Sequence, residues 1–462
     1  MLGVGIDYGT SNSSAAVFDG ERLHMIEVDA AAVSPEVMPS ALYLDRKLAG
    51  TVGQAAIDRY IRENAGRRVT LEREQVGTID IHVATTDQSQ YLGGDGISFE
   101  AQVHAFTDQG LPGRLFRGVK RWLATENFDR LRVFEGRYRL VALVTPVLAH
   151  LAETARASGA RTYVGRPVHY ESGGAGVDDV AARRMREACG HAGLRDFALH
   201  PEPIGAALSF LHRNPDASPR LVLAFDFGGG TLDFALIRAR ERAFEILATH
   251  GIGFGGDEIN RTIYRAKVFP ELGDGLFQHI PVDDHLQRVR FPFDIFADRL
   301  LNWSLAFELN RPELCELMGQ AMRESADARR KLTRLYELVT RNQAYLVVQA
   351  IERAKVELSS RAATTIEVED LDLDVPLSRS ELETLLEPGL ARIERCIDEL
   401  LERAGITAEA VDVVVRTGGS SHIPIVIERL DARFPGRVVA HDAFTSIAAG
   451  LAIAAFRGDK AA

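Results

Sequence analysis

Short blocks of alternating apolar and polar positions fill the first forty residues, give way to helical spacing, and begin again near residue 222. The two starting blocks match in design. Val4–Val17 (VGIDYGTSNSSAAV) and Val222–Leu236 (VLAFDFGGGTLDFAL) each run an apolar strand into an Asp, Asp7 or Asp226. A turn of Gly and hydroxyl residues follows, then a second apolar strand. After the first block the pattern predicts strands to Leu44, a helix near 52–64, and alternating segments across 66–113 broken by Gly turns such as 92–96. It continues with a helix around 141–158, a strand over 161–168 that stops at Pro167, a helix over 178–192 and a strand over 196–199. Pro201-Glu202-Pro203 then ends a strand and opens a helix. The second half repeats the scheme, with a third strand at 244–249, the turn Gly251–Gly256 and a helix from about Asp257. A long, aromatic-rich and strongly helical stretch occupies 269–342. Beyond it, a charged amphipathic helix over 345–361 carries Glu352, Lys355 and Ser359 on one face. A strand (364–368), a helix (380–404), a strand (411–416) running into a Gly-rich turn from Thr417, and a helix (446–456) complete the pattern.

This periodicity predicts an α/β protein of two pseudo-symmetric halves, 1–215 and 216–462. The first carries a β-rich insertion over about 66–113 and the second an enlarged helical insertion over about 262–345. At 462 residues the chain can bury two substantial cores. A net charge of −11 argues against a nucleic-acid groove or an anionic membrane surface as partner. Cys189, Cys315 and Cys396 stand singly, without metal or disulfide spacing, and the histidines show no ligand pattern. No apolar run reaches membrane-spanning length, and the first strand begins at once, leaving no room for a signal peptide. The expected setting is soluble and cytoplasmic.

The chemistry sits in the two turns. Successive backbone N–H groups in such turns form anion nests, and glycine lets phosphate oxygens approach without a side chain in the way. An Asp beside each nest suits a hydrated Mg²⁺, which takes few carboxylates and several phosphate oxygens. A nucleoside triphosphate gripped from both sides is the implied ligand. Plainer roles exist for each residue. Asp7 and Asp226 can serve as turn residues, and Lys120 as one of a basic cluster with Arg114, Arg117 and Arg121. Glu202 can be a helix N-terminal charge, and Glu352, Lys355 and Ser359 an exposed salt-bridging face. The aromatics of 269–307 read either as the core of the insertion or, in part, as an exposed apolar patch.

Together these segments resemble the ATPase domain of the DnaK-type 70-kDa heat-shock chaperones, within the actin-like ATPase fold of two ribonuclease-H-like lobes around a central nucleotide cleft. Gly5-Ile-Asp-Tyr-Gly-Thr is similar to that family's first phosphate hairpin, and Asp226-Phe-Gly-Gly-Gly-Thr-Leu-Asp to its second. Gly251–Gly256, Glu352-Arg-Ala-Lys-Val-Glu-Leu-Ser and Gly418-Gly-Ser-Ser-His-Ile-Pro resemble its nucleoside-contacting segments. The resemblance implies that Asp7, Asp226 and Glu202 orient a Mg²⁺ ion through water. Gly9, Thr10, Ser11, Asn12, Gly228, Gly229, Gly230 and Thr231 would cradle the phosphates of ATP or ADP. Lys120 falls at the family's catalytic lysine, and Thr231 and Asp233 would help hold phosphate and nucleophile. Gly255, Gly256, Glu352, Lys355, Ser359, Gly418, Gly419, Ser420 and His422 would bind ribose and adenine.

Four departures stand beside the matches. Val356 and His422 occupy positions where the family has arginines against the base, and no arginine follows Pro167 through Ser172–Gly176. The chain also stops where an interdomain linker is expected, so no substrate-binding domain is anticipated. These features fit the stand-alone branch often called YegD-like. The implied function is a slow, Mg-dependent ATPase acting as a conformational switch, with a protein client or co-chaperone reached through the insertions. Alternatives are a nucleotide-binding module with negligible turnover, a small-molecule kinase of the same superfamily, and a filament-forming relative. A kinase needs a base for the acceptor hydroxyl, and no carboxylate stands beyond those already assigned.

Overall fold

Two sheets share one strand order. The computed structural model of the chain describes residues 2–83, 97–157, 159–168, 177–215, 221–240, 243–283 and 285–459. The expected turn at 92–96 and the segment 172–176 lie outside these residues. In the first sheet, Gly3–Tyr8 pairs antiparallel with Asn12–Phe18 and parallel with Arg161–Arg166. Leu23–Met25 and Phe197–Pro201 flank them, and Met38–Pro39 adds to Asn12–Phe18. In the second, Leu221–Phe227 pairs antiparallel with Leu232–Arg240 and parallel with Val413–Thr417, flanked by Ala243–Ile252 and Val438–Ala440. Each sheet therefore opens on a meander and closes on two parallel strands. The helices Val177–His191 and Pro424–Arg433 supply the crossovers that parallel pairs require. The first strand of each sheet is covered on both faces, which is why it reads as a near-continuous apolar run; all six residues of Gly3–Tyr8 are buried.

Two helices fill the space between the sheets. Glu202–Arg213, started by Pro203 and an acidic first turn, shares a core of Ala206, Ala207, Val222, Ala224, Leu451 and Ala454 with the second sheet. Ser446–Arg457 packs Ala448 and Ala452 on Ala16 and Phe18 of the first sheet. The helices cross backbone to backbone: a Cβ added at Gly450 would lie 1.7 Å from the Gly205 carbonyl oxygen, so no side chain fits there.

The predicted elements appear with ends shifted by a few residues, as in Gln54–Asn64, Leu140–Thr154, Ala344–Leu358 and Arg379–Ala404. The last of these starts on a capping box, Ser378 with Glu381, and ends on Gly405 in the left-handed region. The segment 269–342 departs from the helical expectation at one place, the antiparallel hairpin Phe277–Val282 with His285–Arg290. Pro281 is unfavourable in a helix interior, and Ile280, Val282 and Val289 are β-branched, which favours extended chain here. The aromatics of this region divide between the two readings. Phe269, Phe291, Phe293 and Phe296 are buried in the main core, whereas Phe277 is 46% exposed beneath Arg288.

This region also reaches the first half of the chain. The Asn310 amide donates to the Val69 carbonyl (2.9 Å), and backbone bonds join Gly66 N to Arg341 O (2.9 Å) and Val69 N to Thr340 O (2.8 Å). Between them the Trp303 ring packs on Tyr60 and Tyr345, with centroids 5.5 and 4.7 Å away. Tyr345 completes a small core with Ala41, Tyr43, Ile57, Tyr60 and Leu115. Among the described residues no helix is long and apolar enough to cross a membrane.

Candidate functional site

Each hairpin closes its turn in the same way: Gly9 N donates to Asn12 O and Gly228 N to Thr231 O, both at 3.0 Å. The register is equivalent too, setting Asp7 opposite Ser14 and Asp226 opposite Asp233. The two turns face one another and touch. A Cβ added at Gly229 would sit 1.9 Å from the Ser11 hydroxyl, which explains glycine at that position. A cavity of about 90 Å³ lies between them, lined by Asp7, Gly9, Thr10, Ser11, Asn12, Lys120, Glu202, Asp226, Gly228–Thr231, Gly418 and Gly419. Residues assigned to phosphate, metal and catalysis from sequence are thus gathered at one crevice, except Asp233, which is not in its lining.

At its floor, Lys120 on the short turn Val119–Trp122 donates from Nζ to Glu202 Oε1 at 2.6 Å, both side chains buried. Three further carboxylates surround this pair. Burial, reinforced by Glu202, pushes the Asp7 carboxyl well above its ordinary range, with Lys120 pulling the other way. Asp226 is pushed up to about 6 by burial and by Glu202, against a hydrogen bond from the Thr417 hydroxyl to Oδ1 (3.0 Å). Asp233 is raised well above its ordinary range by burial, although the Thr231 hydroxyl donates to its Oδ2 at 2.8 Å. Among the described residues its Oδ1 is buried without a hydrogen-bond partner.

Among the described residues the crevice sets Asp7, Glu202 and Asp226, with Asp233 buried nearby, against Lys120 and an Arg121 already paired with Asp257, which leaves a buried deficit of positive charge. Among the described residues no three His, Cys, Asp or Glu side chains converge to hold a bare ion. Asp7, Glu202 and Asp226 line the crevice with hard oxygen donors, a set that fits a Mg²⁺ ion keeping several of its waters. A pH dependence follows for the metal-free protein. Asp226 has a folded pKa of about 6 against an ordinary carboxylate value, so the folded state binds more protons between about pH 4 and 6. Stability is then highest below that window and falls as pH rises through it. Denaturant titrations from pH 4 to 7 should show this slope; because Asp7 and Asp233 are raised too, Asp226→Asn should reduce it in part, and an unchanged slope in the variant would remove Asp226 as a source.

The nucleoside-side residues approach the second turn from three elements. Lys355, on Ala344–Leu358, donates to Gly256 O (3.2 Å) and Asn260 Oδ1 (2.9 Å), and burial lowers its pKa. The Ser420 hydroxyl donates to Gly228 O at 3.0 Å. A Cβ at Gly255 would lie 2.5 Å from Gly229 O. Glu352 lies 3.8 Å from Arg117 and lines a second cavity of about 520 Å³, which adjoins the first at Thr10, Ser11 and Arg121 and reaches Tyr60 and Trp303. Of the residues expected at ribose and adenine, Glu352, Gly418 and Gly419 line a cavity, whereas Gly255, Gly256, Lys355, Ser359, Ser420 and His422 line neither. Ser359 is the C-cap of its helix, and His422 points outward from the turn Gly419–His422.

The crevice also holds residues that sequence reasoning did not assign: Arg121, Pro167, Ala443, Phe444 and Ile447. Arg121 forms an ion pair with Asp257, which starts the helix after Gly255-Gly256. Its place beside Lys120 in a basic cluster was the available signal. Pro167 reads from sequence as the end of a strand and, by the resemblance, as the family's proline switch position, with no phosphate-side role assigned. Phe444 gave none.

Twin sheets of one topology, each aiming a glycine turn and an Asp into a shared crevice, define the actin-like ATPase fold. Comparison with known proteins narrows the class. The family model described as "Hsp70 protein" matches residues 174–268 and 329–459. A mitochondrial heat shock 70 kDa protein from Solanum tuberosum is 25% identical over 99% of this chain and 55% of its own length. A chaperone protein DnaK from Deinococcus proteolyticus is 24% identical over 99% of this chain and 60% of its own length. DnaK of Thermus thermophilus is 26% identical over 58% of this chain and 36% of its own. The chain belongs to the Hsp70 family, and it spans about half the length of the curated relatives it matches.

Proposed function

We propose that this protein binds ATP with Mg²⁺ between halves 1–215 and 216–462, hydrolyses it slowly, and uses the cycle as a chaperone-like conformational switch. The carrying observation is the contact of the two turns at Ser11 and Gly229 above a buried Lys120–Glu202 pair. In this reading the backbone N–H groups around Gly9–Asn12 and Gly228–Thr231 hold the β- and γ-phosphates. Asp7, Asp226 and Glu202 hold a hydrated Mg²⁺, which when bound neutralises phosphate charge. Lys120 orients the attacking water and donates to the γ-phosphate oxygens, where charge develops. Glu202 keeps the Lys120 ammonium aimed at the crevice. Asp233, with its carboxyl held above the ordinary range, accepts a proton more readily than an exposed Asp would.

Because each half supplies one cup, nucleotide that contacts both favours closure. The relatives' names support the chaperone-like role. A protein client or co-chaperone would meet the hairpin Phe277–Arg290, where Phe277, Ile280, Val282 and Leu286 are exposed. A cytoplasmic setting and the YegD-like branch belong to the same proposal.

Asp226→Asn tests the metal role. Wild type at a hundred times the dissociation constant of Mg-ATP should gain about 2.7 kcal/mol of stability. The variant should lose most of that gain while keeping its fold by circular dichroism. A variant stabilised by Mg-ATP like wild type refutes the role.

A further inference from the structure

We infer that Phe444 is the platform on which the nucleotide's base stacks, an inference that rests on the nucleotide reading above. The crevice is asymmetric. One part is polar, built from the two turns, the carboxylates and Lys120; beside Gly418 and Gly419 its lining turns apolar, with Ala443, Phe444 and Ile447. Phe444 is 41% exposed, whereas Phe225, Phe227 and Phe234 of the same half are fully buried. A large aromatic left open at the edge of a phosphate-type cavity is available to a ligand with a π-face.

The ring's backbone is held from both sides of the cleft. The Ser14 hydroxyl, on the first sheet, donates to Phe444 O at 2.9 Å. Phe444 N and Thr445 N both donate to Asp442 Oδ1, at 3.3 and 3.2 Å. Glycine at 419 makes room for the ring, since a Cβ there would meet Phe444 ring carbons at 3.1 Å. The backbone that carries the ring is thus held before any ligand arrives, so only side-chain freedom is lost when a base stacks on it.

The other residues expected beside the base provide no such face. Val356 is aliphatic and 68% exposed, and His422 lines neither cavity. Phe444 therefore supplies the stacking surface, and because every base has a π-face the platform is tolerant of base identity. ATP and GTP bind within a few-fold of each other, and the pyrimidine nucleotide CTP more weakly.

Equilibrium titrations of the full chain with Mg-ATP, Mg-GTP, Mg-CTP and inorganic Mg-tripolyphosphate separate the base from the phosphates. Phe444→Ala should weaken ATP binding about tenfold or more and leave tripolyphosphate binding unchanged. Phe444→Trp should keep ATP affinity, and its indole fluorescence should be quenched by ATP but not by tripolyphosphate. Equal affinity of wild type and Phe444→Ala for ATP overturns the platform. Parallel loss of ATP and tripolyphosphate also overturns it, by showing that the ring only shapes the cavity. Wild type that binds neither ligand refutes instead the nucleotide reading beneath it.

Discussion

Replacing Lys120 by Ala should slow single-turnover ATP hydrolysis by about 10²- to 10³-fold, the cost of losing one preorganised donor to developing charge. Its position supports the size of the effect. The ammonium is buried, 2.6 Å from Glu202, and among the described residues the other cation lining the crevice it shares with Asp7 and Asp226 is Arg121, which is paired with Asp257. The same burial complicates the experiment. Removing Lys120 leaves Glu202 unpaired beside two carboxylates, and breaking a buried pair costs about 3–5 kcal/mol. Folding loss and chemical loss must therefore be told apart. The double variant Lys120→Ala, Glu202→Gln removes both charges and should recover much of the stability without recovering the rate. Quenched-flow product formation at saturating Mg-ATP, alongside thermal melts, reads both quantities. A single variant that hydrolyses at the wild-type rate would exclude hydrolysis through Lys120. Negligible turnover in wild type as well would favour a binding module that signals by closure alone.

How much of this was legible in the chain depends on whether the signal was local. Both hairpins were, because an Asp at a strand end and a Gly-rich turn are contiguous, and the register Asp7–Ser14 and Asp226–Asp233 follows from them. Lys120 and Glu202 lie far apart in sequence, and only the family resemblance placed both at the phosphates. Their direct bond is a tertiary fact. The hairpin Phe277–Arg290 was hidden because its strands are short, lack period-2 patterning and stand among strongly helical neighbours. Phe444 was unreadable for a different reason. A lone aromatic before an apolar helix normally signals core, and only the absence of a Cβ at Gly419 and the bond from Ser14 leave this one held at the crevice. Likewise nothing in 269–342 announced that Trp303 would pack on Tyr60, since aromatic composition does not say which half of a protein a ring will bury against.

That packing carries the last large effect. Trp303→Ala should speed release of bound ADP about tenfold or more, because the ring spans the two halves rather than sitting inside one. Tyr60 belongs to the first half, Tyr345 to the second, and Trp303 touches both. Contacts across a cleft exist when it is closed and are lost as it opens, so their free energy is differential and shifts that equilibrium directly. Truncating a fully buried Trp costs about 3–5 kcal/mol. Trp303 is part-buried, and a loss of about 2 kcal/mol corresponds to roughly 30-fold in an opening constant. Tyr345→Phe, which keeps the ring but removes the bond from Arg117 to the Tyr345 hydroxyl (3.0 Å), should produce a smaller acceleration in the same direction. Phe296→Leu is the control. It lies in the core of the second half alone, so it should lower the melting temperature without changing release. Stopped-flow displacement of a fluorescent ADP analogue measures all three. If Trp303→Ala lowers stability but releases nucleotide at the wild-type rate, the aromatic bridge is structural only, and the opening that lets nucleotide out takes place elsewhere along the cleft.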